Sequence, residues 1–214
     1  MKQSYPIDTI AKMKKRNRTK LLERQYNKRD ARLFVIATEG RETEKQYFAM
    51  FHDSRIKIEI LATGEDNKSA PQYVLERLNE FIKKYDMNVD DTLWLMFDVD
   101  RWGEKNISAI CREGKQKNYR LSISNPCFEV WLYLHLDDLE PSDKTSKDFE
   151  ARLRTKLGSY NKSNLDLDLF KDCIEEAVKR AKNLHPNPQQ NWPPTAGSHV
   201  YRVVQMLLKV VEKS

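Results

Sequence analysis

The chain has 214 residues, of which 39% are hydrophobic and 33% charged, with 38 Lys or Arg against 32 Asp or Glu. That length and balance suit a globular protein able to bury a sizeable core, as one large domain or two small ones. No run approaches the roughly 18 apolar residues of a membrane-spanning helix. The first twenty residues lack the apolar stretch of a secretory leader, so the expected setting is the cytoplasm, away from membranes.

The basic excess is concentrated at one end. Residues 1–32 hold eleven Lys or Arg against three Asp or Glu, a balance of +8, whereas the remainder carries 27 basic and 29 acidic residues, a balance of −2. Residues 1–30 therefore read as a basic arm in which Lys14, Lys15, Arg16 and Arg18 are candidate phosphate contacts. Such an arm attracts a polyanion by counterion release without reading its sequence. A solvated leader or a protein-docking segment has the same composition. Cys111, Cys127 and Cys173 show no Cys-x-x-Cys spacing and suggest neither a disulfide framework nor a zinc site; Cys127 is expected to pack in the core.

Leu33 to Thr38 form a short apolar run suited to a central parallel strand buried on both faces. Glu39 and Gly40 make a turn, and Arg41 to Phe51 follow as a helix in which Tyr47, Phe48 and Phe51 recur at helical spacing. Ile56, Ile58 and Ile60 alternate with polar residues as a second strand. Pro71 opens a helix whose stripe is Val74, Leu75, Leu78, Phe81 and Ile82. A strand from Thr92 to Phe97 ends in Asp98, a helix covers part of Glu104 to Arg112, and Tyr119 to Ile123 is a fourth strand. The repeated order of strand and helix predicts an α/β fold with a mostly parallel sheet flanked by helices. Ser124, Asn125 and Pro126 break the fourth strand ahead of a helix from Cys127 to His135 that is apolar around most of its circumference. Residues 137–149 read as a connection, and helices are expected over 148–157, 167–183 and 198–212, with a stiff proline-rich loop between the last two. The expected division is an arm over 1–30, an α/β core over 31–136, and a mainly helical part over 137–214 that packs on or extends the core.

Ligands bind beyond the carboxyl ends of the strands in sheets of this kind, and three carboxylates fall there. Asp98 and Asp100 are two positions apart, so in extended chain they point to one face; Glu39 has the same topological position on an earlier strand. Oxygen donors without convergent cysteines suit magnesium or manganese, and such ions can activate water and stabilise a leaving oxygen in phosphodiester hydrolysis. An acidic pair at a strand end is also compatible with a capped turn or a surface ion pair. Gly40 is expected to leave room for phosphate or backbone, and the helix start after it adds dipoles favourable to an anion. Arg41 is a phosphate candidate. Glu42 is a candidate for supporting the site, and Glu44 reads as helix-start charge complementarity.

LFVIATEGRETEKQYF from Leu33 to Phe48, FDVD from Phe97 to Asp100, and SNPCFEVWLYLH from Ser124 to His135 together resemble the RloB-like proteins. The resemblance covers most of residues 30–135 and extends more weakly to Thr195. It implies a Toprim-like fold and a magnesium-dependent catalytic site, with the metal-binding and catalytic roles falling to Glu39, Asp98 and Asp100. It also implies a bacterial restriction or phage-defence setting, with a nucleic-acid substrate, DNA or RNA, and often a partner ATPase. Arg101, Trp102 and Gly103 after Asp100 depart from a fuller acidic cluster and put a two-ion mechanism in doubt.

Ser124 and Asn125 are candidates for receiving phosphate or for capping the next helix. Glu129, a carboxylate in an apolar helix, needs a cation, a metal or several donors. Lys162 is a phosphate anchor, Arg101 a backbone contact, and Trp102 either a base-stacking surface or a core residue. His185 and His199 are expected at the surface. The leading expectation is a metal-dependent nuclease. The alternatives are a noncatalytic nucleic-acid-binding or adaptor subunit of an ATPase-containing defence complex and, further off, a phosphatase with Asp98 as nucleophile.

Overall fold

The computed structural model describes residues 31–64, 68–99, 102–187 and 189–212. The basic arm, with Lys14, Lys15, Arg16 and Arg18, lies outside the described residues, as do Asp100 and Arg101.

The apolar run after the arm forms β1 (Arg32–Thr38), and the turn beyond it leads to α1 (Thr43–Phe48), β2 (Ile56–Leu61), α2 (Pro71–Lys84), β3 (Thr92–Asp98), α3 (Glu104–Gln116) and β4 (Arg120–Asn125). The strands stand in the order β2-β1-β3-β4-β5, where β5 is Gly197–Ser198, with the first four parallel. The expected α/β architecture is thus present. β1 and β3, central and hydrogen-bonded on both sides, are the strands whose sequences are apolar without alternation, as burial on both faces requires.

Side-chain alternation along these strands divides the interior in two. Leu33, Val35 and Ala37 of β1 join Leu95, Phe97, Leu121 and Ile123 against α2 and α3. Phe34 and Ile36 join Trp94 and Met96 on the other face, against α1 and the C-terminal helices α4 (Glu129–Leu134), α5 (Ser146–Leu157), α6 (Asp168–Lys171), α7 (Ile174–Leu184) and α8 (Tyr201–Glu212). Those helices share one continuous core with the sheet. α4 is at its centre: all six of its residues are buried, and Tyr47 of α1 lies edge-on to Phe128, Trp131 and His135.

Several boundaries differ from the sequence reading: α1 is Thr43–Phe48 within the expected Arg41 to Phe51, and α4 is Glu129–Leu134 within the expected Cys127 to His135. α5 starts at Ser146 because Thr145 and Asp148 form a reciprocal capping box, and it ends at Gly158 in the left-handed conformation, φ 74°. The helix expected over 167–183 is two, α6 and α7, interrupted at Asp172 and Cys173. Gly197 and Ser198 form β5, antiparallel to Ser124 and Asn125 of β4, so the proline-rich loop returns to the sheet before α8 begins at Tyr201. Ser124 and Asn125 are accordingly strand residues, and the Asn125–Pro126 peptide is cis.

Candidate functional site

Glu39 leaves the end of β1 in a turn tied on every side. Its N–H donates to the Met96 carbonyl at 3.0 Å, carrying the parallel ladder one step beyond the strand, and its carbonyl accepts from the Thr63 hydroxyl at 2.7 Å. The Thr38 hydroxyl reaches forward to the Gly40 carbonyl at 2.9 Å. Arg77 of α2 braces the ends of β1 and β2, donating to the carbonyls of Thr38 at 2.5 Å and Leu61 at 3.1 Å. The Glu39 carboxylate, 9% exposed, accepts from the Asp98 backbone N–H at 3.1 Å and from the Trp102 indole N–H at 3.2 Å. Donors of this kind fix an acceptor's direction.

The adjacency of β1 and β3 therefore brings the Glu39 carboxylate to the backbone of Asp98. Both open on a cleft of about 450 Å³ at the carboxyl ends of the strands. Among the described residues its lining includes six carboxylates, Glu39, Glu42, Glu44, Asp98, Glu129 and Glu150, and two cations, Arg41 and Lys162. Among the described residues no group of three His, Cys, Asp or Glu side chains converges as a metal site. The described part of the proposed ligand set is the pair Glu39 and Asp98, with Asp100 outside it.

Glu44 is the residue that sequence reasoning undervalued. It is buried, and its Oε1 accepts from the Gly40 N–H at 3.1 Å. The space above Gly40 is filled by this carboxyl: a Cβ there would collide with it. Gly40 thus makes room for Glu44 and not for a ligand. Burial pushes the Glu44 carboxyl up to about 7; the Gly40 N–H opposes the shift, and the nearby charges of Glu129 and Glu39 reinforce it. Its position was recoverable from spacing, since 44, 47, 48 and 51 share one helical face. Glu42 is exposed, with one carboxylate oxygen 3.7 Å from Arg41.

Glu129 finds its cation in Lys162, whose Nζ is 2.8 Å from Glu129 and 2.9 Å from Glu150. The Tyr160 hydroxyl donates to Glu129 at 3.0 Å. Burial alone would raise the Glu129 carboxyl, but the charge and hydrogen bond of Lys162 outweigh it and hold the group below the ordinary carboxylate range. Lys162 is thus fixed between two carboxylates on the wall of the cleft. The same segment is tied to α1, where the Thr43 hydroxyl donates to the Lys162 carbonyl at 3.2 Å.

Other candidates are placed differently. Ser124 is buried with its hydroxyl 2.9 Å from that of Ser198, and Asn125 donates to the Pro193 carbonyl at 2.9 Å. Neither caps α4, which has no side-chain cap; both hold the proline-rich loop. Trp102 packs against the core layer of α2 and α3 and steadies Glu39. His185 and His199 are buried, not superficial, at 5% and 0% exposure, with rings 6.4 Å apart. Burial pushes His199 down to about 3, aided by the charge of Arg202. Cys127 is buried as expected.

Sheet and cleft together define an α/β protein with an acidic site at the carboxyl edge of a mostly parallel sheet. The family model for RloB-like proteins matches residues 34–207. The chain belongs to the RloB-like family. The comparisons with curated proteins and with solved structures gave no match. Among the described residues no helix is long and apolar enough to cross a membrane.

Proposed function

We propose that the protein hydrolyses phosphodiester bonds of nucleic acid with magnesium or manganese, in a bacterial defence setting that can include a partner ATPase. The observation that carries this reading is the hydrogen bond from the Asp98 backbone to the Glu39 carboxylate, which joins acidic residues of neighbouring parallel strands at the head of a carboxylate-lined cleft. An excess of carboxylates repels a polyanion, so phosphate can approach such a cleft only with cations to neutralise it. The donors are all oxygen, as hard divalent ions require. Glu39 and Asp98 would hold the ion, with Asp100 as the further ligand; when bound, the ion supplies charge stabilisation and lowers the pKa of coordinated water.

The remaining roles belong to this chain's own groups. Trp102 and the Asp98 N–H keep the Glu39 carboxylate aimed. Glu44, raised to about 7, exchanges a proton near neutrality, where acid–base groups work best. Lys162, steadied by Glu129 and Glu150, and Arg41 at the exposed rim orient phosphate.

The test is cleavage of labelled single- and double-stranded DNA and RNA in magnesium or manganese, with and without a partner ATPase. Glu39→Gln and Asp98→Asn should each lower the rate by at least about 100-fold, the order lost when a positioned charge-stabilising group is removed, with the fold retained by circular dichroism. Full activity in both variants would remove the proposed site. The noncatalytic binding subunit is the second reading, favoured by the +8 balance of residues 1–32 and by Arg101, Trp102 and Gly103 standing after Asp100 where a fuller acidic cluster would continue. It predicts metal-independent binding and no cleavage in any combination.

A further inference from the structure

The sheet has a second charged edge. β1, β3 and β4 are parallel, so Arg32, Thr92 and Arg120 begin their strands on one side, opposite Glu39 and Asp98. A groove of about 540 Å³ opens there between α3, β4, α7 and α8. Its lining includes Lys115, Arg120, Lys182, Arg202 and Lys209 and, among the described residues, no carboxylate. Arg120 lies over the Trp94 ring at 5.7 Å and Arg202 over the Tyr201 ring at 5.9 Å, which fixes both guanidinium planes against buried aromatics. Glu113, the acid nearest in sequence to Lys115, is engaged by Lys117 at 2.9 Å.

Five cations drawn from four elements repel one another, an arrangement that an anionic partner relieves. Residues 33–214 carry a balance of −2, so this local excess is not a property of the chain beyond the arm. The chain enters β1 on the same edge at Arg32, two strands from Arg120, and segment 1–32 with its balance of +8 is attached there. That attachment argues against the chain's own arm as the occupant. The groove is open, and its cations come from separate elements instead of closing round one small anion.

We infer that this groove holds the phosphodiester backbone of a nucleic acid at a docking site distinct from the acidic cleft. β4, six residues long, spans roughly 20 Å at about 3.3 Å per residue, so one strand must cover about that distance to engage both edges. The inference rests on charge and placement and is independent of cleavage.

Binding is measured on the full chain in EDTA, where metal-dependent cleavage is silent, by fluorescence anisotropy of a labelled 20-nucleotide single strand over a salt series. The variant Lys115→Gln/Arg120→Gln/Lys182→Gln/Lys209→Gln should lose at least about tenfold in affinity. Its log–log salt slope should become shallower by about 3, at roughly 0.7 per lost phosphate contact. The charge-preserving variant Lys115→Arg/Arg120→Lys/Lys182→Arg/Lys209→Arg should bind like the parent. With the wild-type chain, the probe should protect Lys115, Lys182 and Lys209 from acetylation read by mass spectrometry, a measurement that needs no variant to fold. Unchanged affinity and slope in the neutral variant, or absence of protection, overturns the inference. A change in oligomeric state with probe binding intact also overturns it, because the occupant is then a second copy of the chain.

Discussion

Replacing Lys162 by methionine removes the cation from a buried acid while keeping most of the side chain's bulk. Glu129 is 4% exposed and would be left with neutral donors, the Tyr160 hydroxyl at 3.0 Å, the Cys127 thiol and its own backbone N–H, close to the charge of Glu44. Breaking a fully buried pair costs about 3–5 kcal/mol. The Lys162 side chain is 49% exposed, so solvent screening lowers the expected loss to roughly 1–3 kcal/mol at neutral pH. For a chain of this size a 2 kcal/mol loss lowers Tm by roughly 4–8 °C. The pH dependence is the sharper signature. In the parent the Glu129 carboxyl is held low, so its contribution is present above the ordinary carboxylate range and is lost as pH falls through the depressed value. In the variant burial dominates and raises the group; its contribution is then present at acid pH and lost as pH rises. Thermal melts at pH 5 and pH 8 should therefore show a larger deficit at pH 8. Glu129→Gln added to Lys162→Met should recover most of it. Equal deficits at the two pH values, or a double variant as unstable as the single one, would refute this account of the pair.

Glu44→Gln should flatten the pH dependence of stability: with the folded carboxyl raised to about 7, the parent's advantage is complete below about 4.5 and lost as pH rises through 7. Urea unfolding at pH 5 and pH 8 should show the parent losing roughly 2–3 kcal/mol more than the variant over that interval, at about 1.4 kcal/mol per pKa unit. Gly40→Ala drives a Cβ into the Glu44 carboxyl and should cost roughly 1–3 kcal/mol in denaturant titration; a neutral result would mean that Glu44 moves aside freely. Manganese should raise the parent's Tm in proportion to log concentration above its Kd, with the rise absent in Glu39→Gln and Asp98→Asn. A rise retained in both variants would place the ion elsewhere.

The sheet was legible because β1 and β3 are plain apolar runs, β2 and β4 alternate apolar with polar residues, and three helices separate the first four strands. β5 was not, since two residues, Gly197 and Ser198, give no periodicity and pair only through contacts distant in sequence. Glu39 and Asp98 could be placed from topology, because the end of a parallel strand is a location that sequence order defines. Glu44 was visible in the helical period but was read by its charge instead of by its face. Lys162 as the partner of Glu129 was out of reach: 33 positions separate them, and only the packing of α4 and α5 brings them together.

β5 also bears on how these molecules meet one another. β4 would otherwise offer its outer edge to any extended chain, and exposed edges are templates for intermolecular pairing. The two-residue strand covers that edge at Ser124 and Asn125, and the His199 N–H takes the Ile123 carbonyl at 2.9 Å. Because β5 runs antiparallel and leads at once into α8, it is too short to pass the pairing on. The sheet is thus closed to strand exchange beside Asp98, and copies of the chain can crowd together without fusing at the end that carries the cleft.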